Sequence, residues 1–153
     1  MYNLGNKIVM MSRRRRGSPP IPVTVGFAAD RGNGVVYAMV GSAGRQSLVR
    51  VGFACRPLPV LQGRDVAYHA LDALLDELLQ RGVDRVELRV DDPHLLADLA
   101  ERRSLPNPLI VPYVQLRCKL NRFAVATVAR ASGAVARDLA ARARAEASLD
   151  VAA

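Results

Sequence analysis

The residues of this sequence best placed to do chemistry are carboxylates at the ends of β-rich runs. Asp30 follows the run 23–29, and Asp91 and Asp92 follow the run 85–90. If those runs are parallel neighbours in one sheet, Asp30 and Asp92 project into the crevice at the carboxyl ends of the strands, where open α/β sheets bind ligands. Two hard oxygen donors there suit Mg²⁺ or Mn²⁺. The competing reading makes them strand-end and capping acids, since Asp92 precedes Pro93 and stands where a helix N-cap would. Other constellations are weaker. Asp65 and His69, four apart on a helix, either share a metal or form an exposed pair. Gly32-Asn33-Gly34 lacks the third glycine of a dinucleotide loop and enters a strand, so it reads as a turn. No Ser-His-Asp or Cys-His arrangement is visible. Cys55 and Cys118 lie far apart with no C-x-x-C context, which excludes a disulfide scaffold and fits a reducing, cytoplasmic setting.

Charge points to a partner class. The chain of 153 residues carries a formal net charge of +8. Five of those charges come from Lys7, Arg13, Arg14, Arg15 and Arg16, in a stretch of twenty residues without an acid. Such an arm either contacts nucleic-acid phosphates, with strong salt dependence, or is a solvated tail that aids solubility. Arg130, Arg137, Arg142 and Arg144 give the C-terminal region a second basic aspect, again either phosphate contact or a solvated face. The arginine run before residues 21–29 imitates an export signal. Pro19, Pro20 and Pro22 interrupt it and Asp30 follows directly, so no export is expected. No apolar stretch is long enough for a membrane span.

These residues need a scaffold to bring them together. Residues 1–22 read as a basic, disordered arm, 23–147 as one domain, and 148–153 as a tail. Three strands are expected at 23–29, 35–41 and 48–54, joined by short Gly-rich turns into an antiparallel meander. A helix follows at 65–81, with Val66, Ala67, Ala70, Leu71, Leu74 and Leu78 forming its apolar face and Gly82 its stop. A fourth strand is expected at 85–90, helices at 94–103 and 109–122, a fifth strand at 124–129 and a last helix at 133–147. Pro112 fits its helix only in the first turn. This order gives an α/β domain: a mixed five-stranded sheet with helices on its faces, strand four lying parallel to an earlier one through a right-handed crossover. Phe27, Tyr37 and Phe53 read as sheet packing.

Four pieces, in order across residues 23–147, resemble the type 1, reverse-transcriptase-like branch of the ribonuclease H family. Val25-Gly26-Phe27-Ala28-Ala29-Asp30 is similar to that family's first strand ending in Asp. Val66-Ala67-Tyr68-His69-Ala70-Leu71 resembles its A-E-Y-x-A-L helix, and Asp92-Pro93-His94-Leu95-Leu96 its D-S-x-L-V segment. Residues 128–140 resemble the final V-P-R-E-x-N-x-x-A-D-x-L-A piece. The resemblance implies a ribonuclease H-like fold and, in the family's enzymes, four carboxylates holding two divalent ions that activate water to cut one strand of an RNA–DNA hybrid.

The departures from that pattern shape the expected function. Asp30 and Asp92 match two of the four carboxylate positions, while the other two are Ala67 and Arg137. Two anions lost and one guanidinium gained leave too little negative charge to hold two Mg²⁺ against their mutual repulsion. Asp138 lies about 100° around the helix from Arg137, and a small shift would bring it near. Asp91 would point to the opposite side of its strand from Asp92. The leading expectation is a ribonuclease H-like protein that binds nucleic acid (RNA, DNA or hybrid) and has lost most or all hydrolysis, with Arg13–16, Arg130 and Arg137 as contacts. The alternatives are a Mg- or Mn-dependent nuclease using Asp30, Asp92 and Asp138, with a weak or single metal site at Asp30 and Asp92, and a structural or protein-interaction module.

Overall fold

In the computed structural model, which describes residues 19–42, 44–101 and 104–152, period-two alternation builds one sheet. Strands β1 (Ile21–Asp30), β2 (Gly32–Val40) and β3 (Ser47–Cys55) form an antiparallel meander. Helix α1 (Arg64–Gln80) then crosses over to β4 (Arg85–Val90), which pairs parallel to β1. Helices α2 (Pro93–Glu101) and α3 (Asn107–Leu120) lead to β5 (Val125–Arg130), parallel to β4, and α4 (Ala134–Ala152) closes the chain. The strand order β3-β2-β1-β4-β5 puts β1 at the centre. This is the expected mixed five-stranded sheet with an antiparallel meander in its first three strands.

Alternation also decides which helix covers which face. Val23, Val25, Val36, Ala38, Val86, Leu88 and Val90 point to one side, where they pack with Leu71, Leu74 and Leu78 of α1, Leu95 of α2, and Leu109 and Leu116 of α3. Burying each such side chain is worth about 1.5–3 kcal/mol, so this layer carries most of the fold's stability. The residues between them face the other way. Val35 and Tyr37 meet Leu139 and Ala143 of α4 in a smaller cluster. Phe27 and Phe53 pack against the main core and Tyr37 is buried, as sheet-packing residues should be.

A buried polar knot ties α1 to α2. Arg64 donates to both carboxylate oxygens of Asp98 at 3.0 and 2.9 Å, and the Tyr68 hydroxyl donates to Asp98 Oδ2 at 2.7 Å. Burial, then the bond to Asp98, pushes the Tyr68 phenol well above the usual tyrosine range. Among the described residues no helix is long and apolar enough to cross a membrane.

Several boundaries differ from expectation for physical reasons. β1 starts at Ile21 and tolerates Pro22, because a proline near the start of a strand forfeits little of the ladder. The first hairpin turns at Arg31-Gly32, both with positive φ (48° and 102°), so Asn33 and Gly34 already belong to β2. Pro112 lies inside α3, beyond its first turn; the buried Leu109 and Leu116 hold the helix despite the missing amide. Helix α4 runs on to Ala152, because no Gly or Pro stops it at 147. Asp65 is not part of an exposed pair. It is buried, and its Oδ2 accepts the Leu58 amide at 2.8 Å, pinning the loop before α1.

Candidate nucleic-acid interface

The middle of β1 and the carboxyl end of β4 open into a cleft of about 350 Å³, lined by Gly26, Phe27, Asp91, Asp92, Arg137 and Arg144 among others. Strand register decides which acids reach it. The last parallel pair of β1 and β4 is Val25 with Val90. Continuing that register sets Gly26 level with Asp91 and Phe27 level with Asp92. Asp30 lies three residues further along β1, roughly 10 Å beyond that level at a strand's rise. Its partner in the sheet is Asn33, across the hairpin. Asp30 and Asp92 are therefore not brought into one crevice, because β1 outruns β4 and carries Asp30 away into the hairpin.

Gly26 occupies the β1 position that does face this cleft, and α4 lies directly on it. A Cβ built there would stand 2.3 Å from the Ala140 nitrogen and 2.5 Å from the Leu139 carbonyl carbon. No side chain of any kind fits, a carboxylate included. The sequence signal for this was a glycine inside an apolar strand, which marks close approach of another backbone.

The remaining charged groups are arranged as follows. Asp92 Oδ1 accepts the Leu95 amide at 2.9 Å and so caps α2, the capping role weighed for it from Pro93. Asp91 lies 3.7 Å from Arg130 Nε in an exposed, loose pair. Arg137 and Arg144, seven residues apart, share one face of α4 two turns apart and both line the cleft. Neither forms an ion pair with a described residue. Asp138 is exposed on α4 and does not line the cleft. Arg142 instead stacks on the Tyr37 ring, 4.7 Å from its centre, where it supports packing. Ala67, the position where the resemblance calls for a glutamate, is fully buried in the main core. Arg13, Arg14, Arg15 and Arg16 lie outside the described residues.

A divalent-ion centre needs several hard donors converging on one point. Among the described residues no group of three or more His, Cys, Asp or Glu side chains does so. With Gly26 sealed beneath α4 and one Asp92 oxygen committed to a cap, the donors present do not fit a pair of Mg²⁺ or Mn²⁺ ions.

No protein-family model matches the sequence, and no curated protein matches it either. Solved structures do match. RNase H1 from the halophilic archaeon Halobacterium salinarum superposes with a TM-score of 0.67 at 22% identity, over 85% of this chain and 98% of that one. The N-terminal RNase H domain of a Mycobacterium tuberculosis protein gives 0.64 at 19% identity, over 86% and 99%. LC11-RNase H1 in complex with an RNA/DNA hybrid gives 0.61 at 14%, over 83% and 98%. At these identities the likeness is one of fold.

Proposed function

We propose that this chain is a nucleic-acid-binding protein of ribonuclease H-like fold, acting in the cytoplasm, that hydrolyses RNA–DNA hybrids poorly or not at all. The observation that carries the reading is Gly26: the central strand offers no carboxylate at the cleft, and α4 occupies the space one would need. Beside Asp91, loosely paired with Arg130, and Asp92, committed to a helix cap, the cleft offers two guanidinium groups, Arg137 and Arg144. Guanidinium forks bind phosphate oxygens by paired, charge-assisted hydrogen bonds, so a backbone phosphate is held here by cationic side chains without metal ions. A structure of the same fold holding an RNA/DNA hybrid supports nucleic acid as the ligand class. The basic stretch Arg13–Arg16 would add further phosphate contacts.

The test is a binding titration with an RNA–DNA hybrid at several salt concentrations, alongside a cleavage assay with Mg²⁺ or Mn²⁺. Salt-sensitive binding is expected, with the double variant Arg137→Gln, Arg144→Gln lowering the slope of log K against log salt by about 1–2. A protein beginning at Pro20 measures the arm's share. Binding that is absent, or indifferent to salt, refutes the proposal. Robust cleavage abolished by Asp30→Asn or Asp92→Asn would establish the nuclease in its place.

A further inference from the structure

The strand order leaves β5 at one margin of the sheet, where β4 is its only neighbour among the described strands. Hydrogen bonding fixes which of its groups face outward. The Ala131 amide donates to the Val90 carbonyl at 3.1 Å and the Val125 amide to the Asp84 carbonyl at 3.3 Å. In a parallel ladder alternate residues bond to the same neighbour, so the odd-numbered residues turn their amides to β4. Ala126 and Val128 turn theirs away from it. Native sheet edges are normally blunted by lysine, proline or a bulge. The run Val125-Ala126-Thr127-Val128-Ala129 has no charge, proline or glycine. Ala126 and Val128 also lie at the rim of the main core and are only partly buried, so that rim is half covered.

A segment that suits this edge lies in the same chain. Residues 1–18 are outside the described residues, and their one continuous apolar run is Ile8-Val9-Met10-Met11, with two β-branched side chains. Ile21, at the start of β1, is level with Val86 of β4, and Val86 is level with Ala126. The chain therefore enters β1 two strand spacings, roughly 10 Å, from the start of β5. The nine residues 12–20 span up to roughly 30 Å, ample for that crossing. A segment that leads down to the start of β1 runs antiparallel to β5, the slightly stronger pairing. A tether this short gives an effective concentration in the millimolar range, which a free peptide or a second copy must outcompete. The opposite edge, β3, is equally near, but Gly52 interrupts it and Arg50, bonded to Glu146 of α4, adds a charge.

We propose that residues 8–11 add to the β5 edge as a sixth, antiparallel strand, with main-chain hydrogen bonds to Ala126 and Val128. Alternation would set two of the four side chains over the half-covered rim of the core and two beside the exposed Thr127. The basic run Arg13–Arg16 then lies in the crossing, anchored at both ends. An arm expected to be disordered throughout residues 1–22 is, in this reading, ordered at its start. The proposal does not rest on the Arg137 cleft or on its phosphate contacts.

Amide hydrogen exchange, followed by NMR on the full chain and on its Val9→Pro, Met10→Pro double variant, tests the added strand. Proline at two successive positions removes a ladder donor whichever residues face β5. Ala126 and Val128 should exchange about tenfold more slowly in the full chain than in the variant, the factor that one net hydrogen bond supplies. Ala129, already bonded to β4, should exchange alike in both, which shows that β5 itself stays folded in the variant. Nuclear Overhauser contacts from residues 8–11 to Ala126 and Val128 are expected in the full chain and absent in the variant. Equal exchange of Ala126 and Val128 in the two proteins overturns the proposal. So does slowing on β3 in place of β5, or protection in both proteins that disappears on dilution, which would mark a second copy pairing at this edge.

Discussion

Replacing Gly26 by alanine isolates the contact on which the reading of the cleft rests. The added Cβ would meet the Ala140 nitrogen at 2.3 Å, the Leu139 carbonyl carbon at 2.5 Å and the Leu139 Cβ at 2.7 Å. Comfortable separations are about 3.5–4.0 Å, so α4 must retreat by roughly 1 Å or more. Two of these neighbours are backbone atoms, which no rotamer change can move. Retreat would loosen Leu139 and Ala143 against Val35 and Tyr37. Overpacking of this kind costs about 1–3 kcal/mol and occasionally more, and the rigid neighbours put this site at or above the upper end. For a chain of this size about 3 kcal/mol corresponds to roughly 6–12 °C in melting temperature. The matched control is Gly52→Ala, whose Cβ would meet only the Gly34 carbonyl oxygen at 3.9 Å. It should stay within about 0.5 kcal/mol of the parent or gain slightly. Paired urea and thermal unfolding curves decide the matter. Gly26→Ala as stable as Gly52→Ala would mean that α4 does not seal the strand, and the argument against a carboxylate there would fail.

Further outcomes follow from other contacts. Asp92→Ala should cost about 0.5–2 kcal/mol by urea unfolding, as loss of a helix cap does, and leave salt-dependent nucleic-acid binding nearly unchanged. Tyr68→Phe should cost about 2 kcal/mol by removing one hydrogen bond to a buried charge, and Asp98→Ala about 3 kcal/mol by stranding Arg64. The Cys55 thiol, raised from 9.0 to about 11, holds its proton more tightly in the folded state than in the unfolded one. Its contribution to stability is therefore full below about pH 9 and lost as pH rises towards 11, and Cys55→Ala should flatten that part of the pH–stability curve. A thiol reagent at neutral pH should label the exposed Cys118 and spare the buried Cys55 until the chain unfolds.

The sheet was legible because its strands alternate cleanly: Val86, Leu88 and Val90 announced both β4 and its buried face. The apolar stripe of α1 was equally plain. What failed was register. Asp30 sits in a sequence context resembling a strand that ends in an active-site acid, but how far β1 runs past β4 is set by pairing between segments about 65 residues apart. No local pattern encodes that offset. Asp65 misled for a related reason. Helical spacing grouped it with the polar face, yet the loop at Leu58 folds back over it and turns an apparent surface acid into a buried acceptor.

The central position of β1 has a consequence for how the chain assembles. Its pairing with β2 closes a two-residue turn, whereas its pairing with β4 must close a loop that contains the whole of α1. Loop closure of that length is slow, so the hairpin should precede the parallel half in time. Helix α4 follows β5 in the sequence and docks on a surface shared by β1 and β2. Until it docks, the Gly26 face of β1 stays uncovered, so chains truncated before α4 should aggregate through that face.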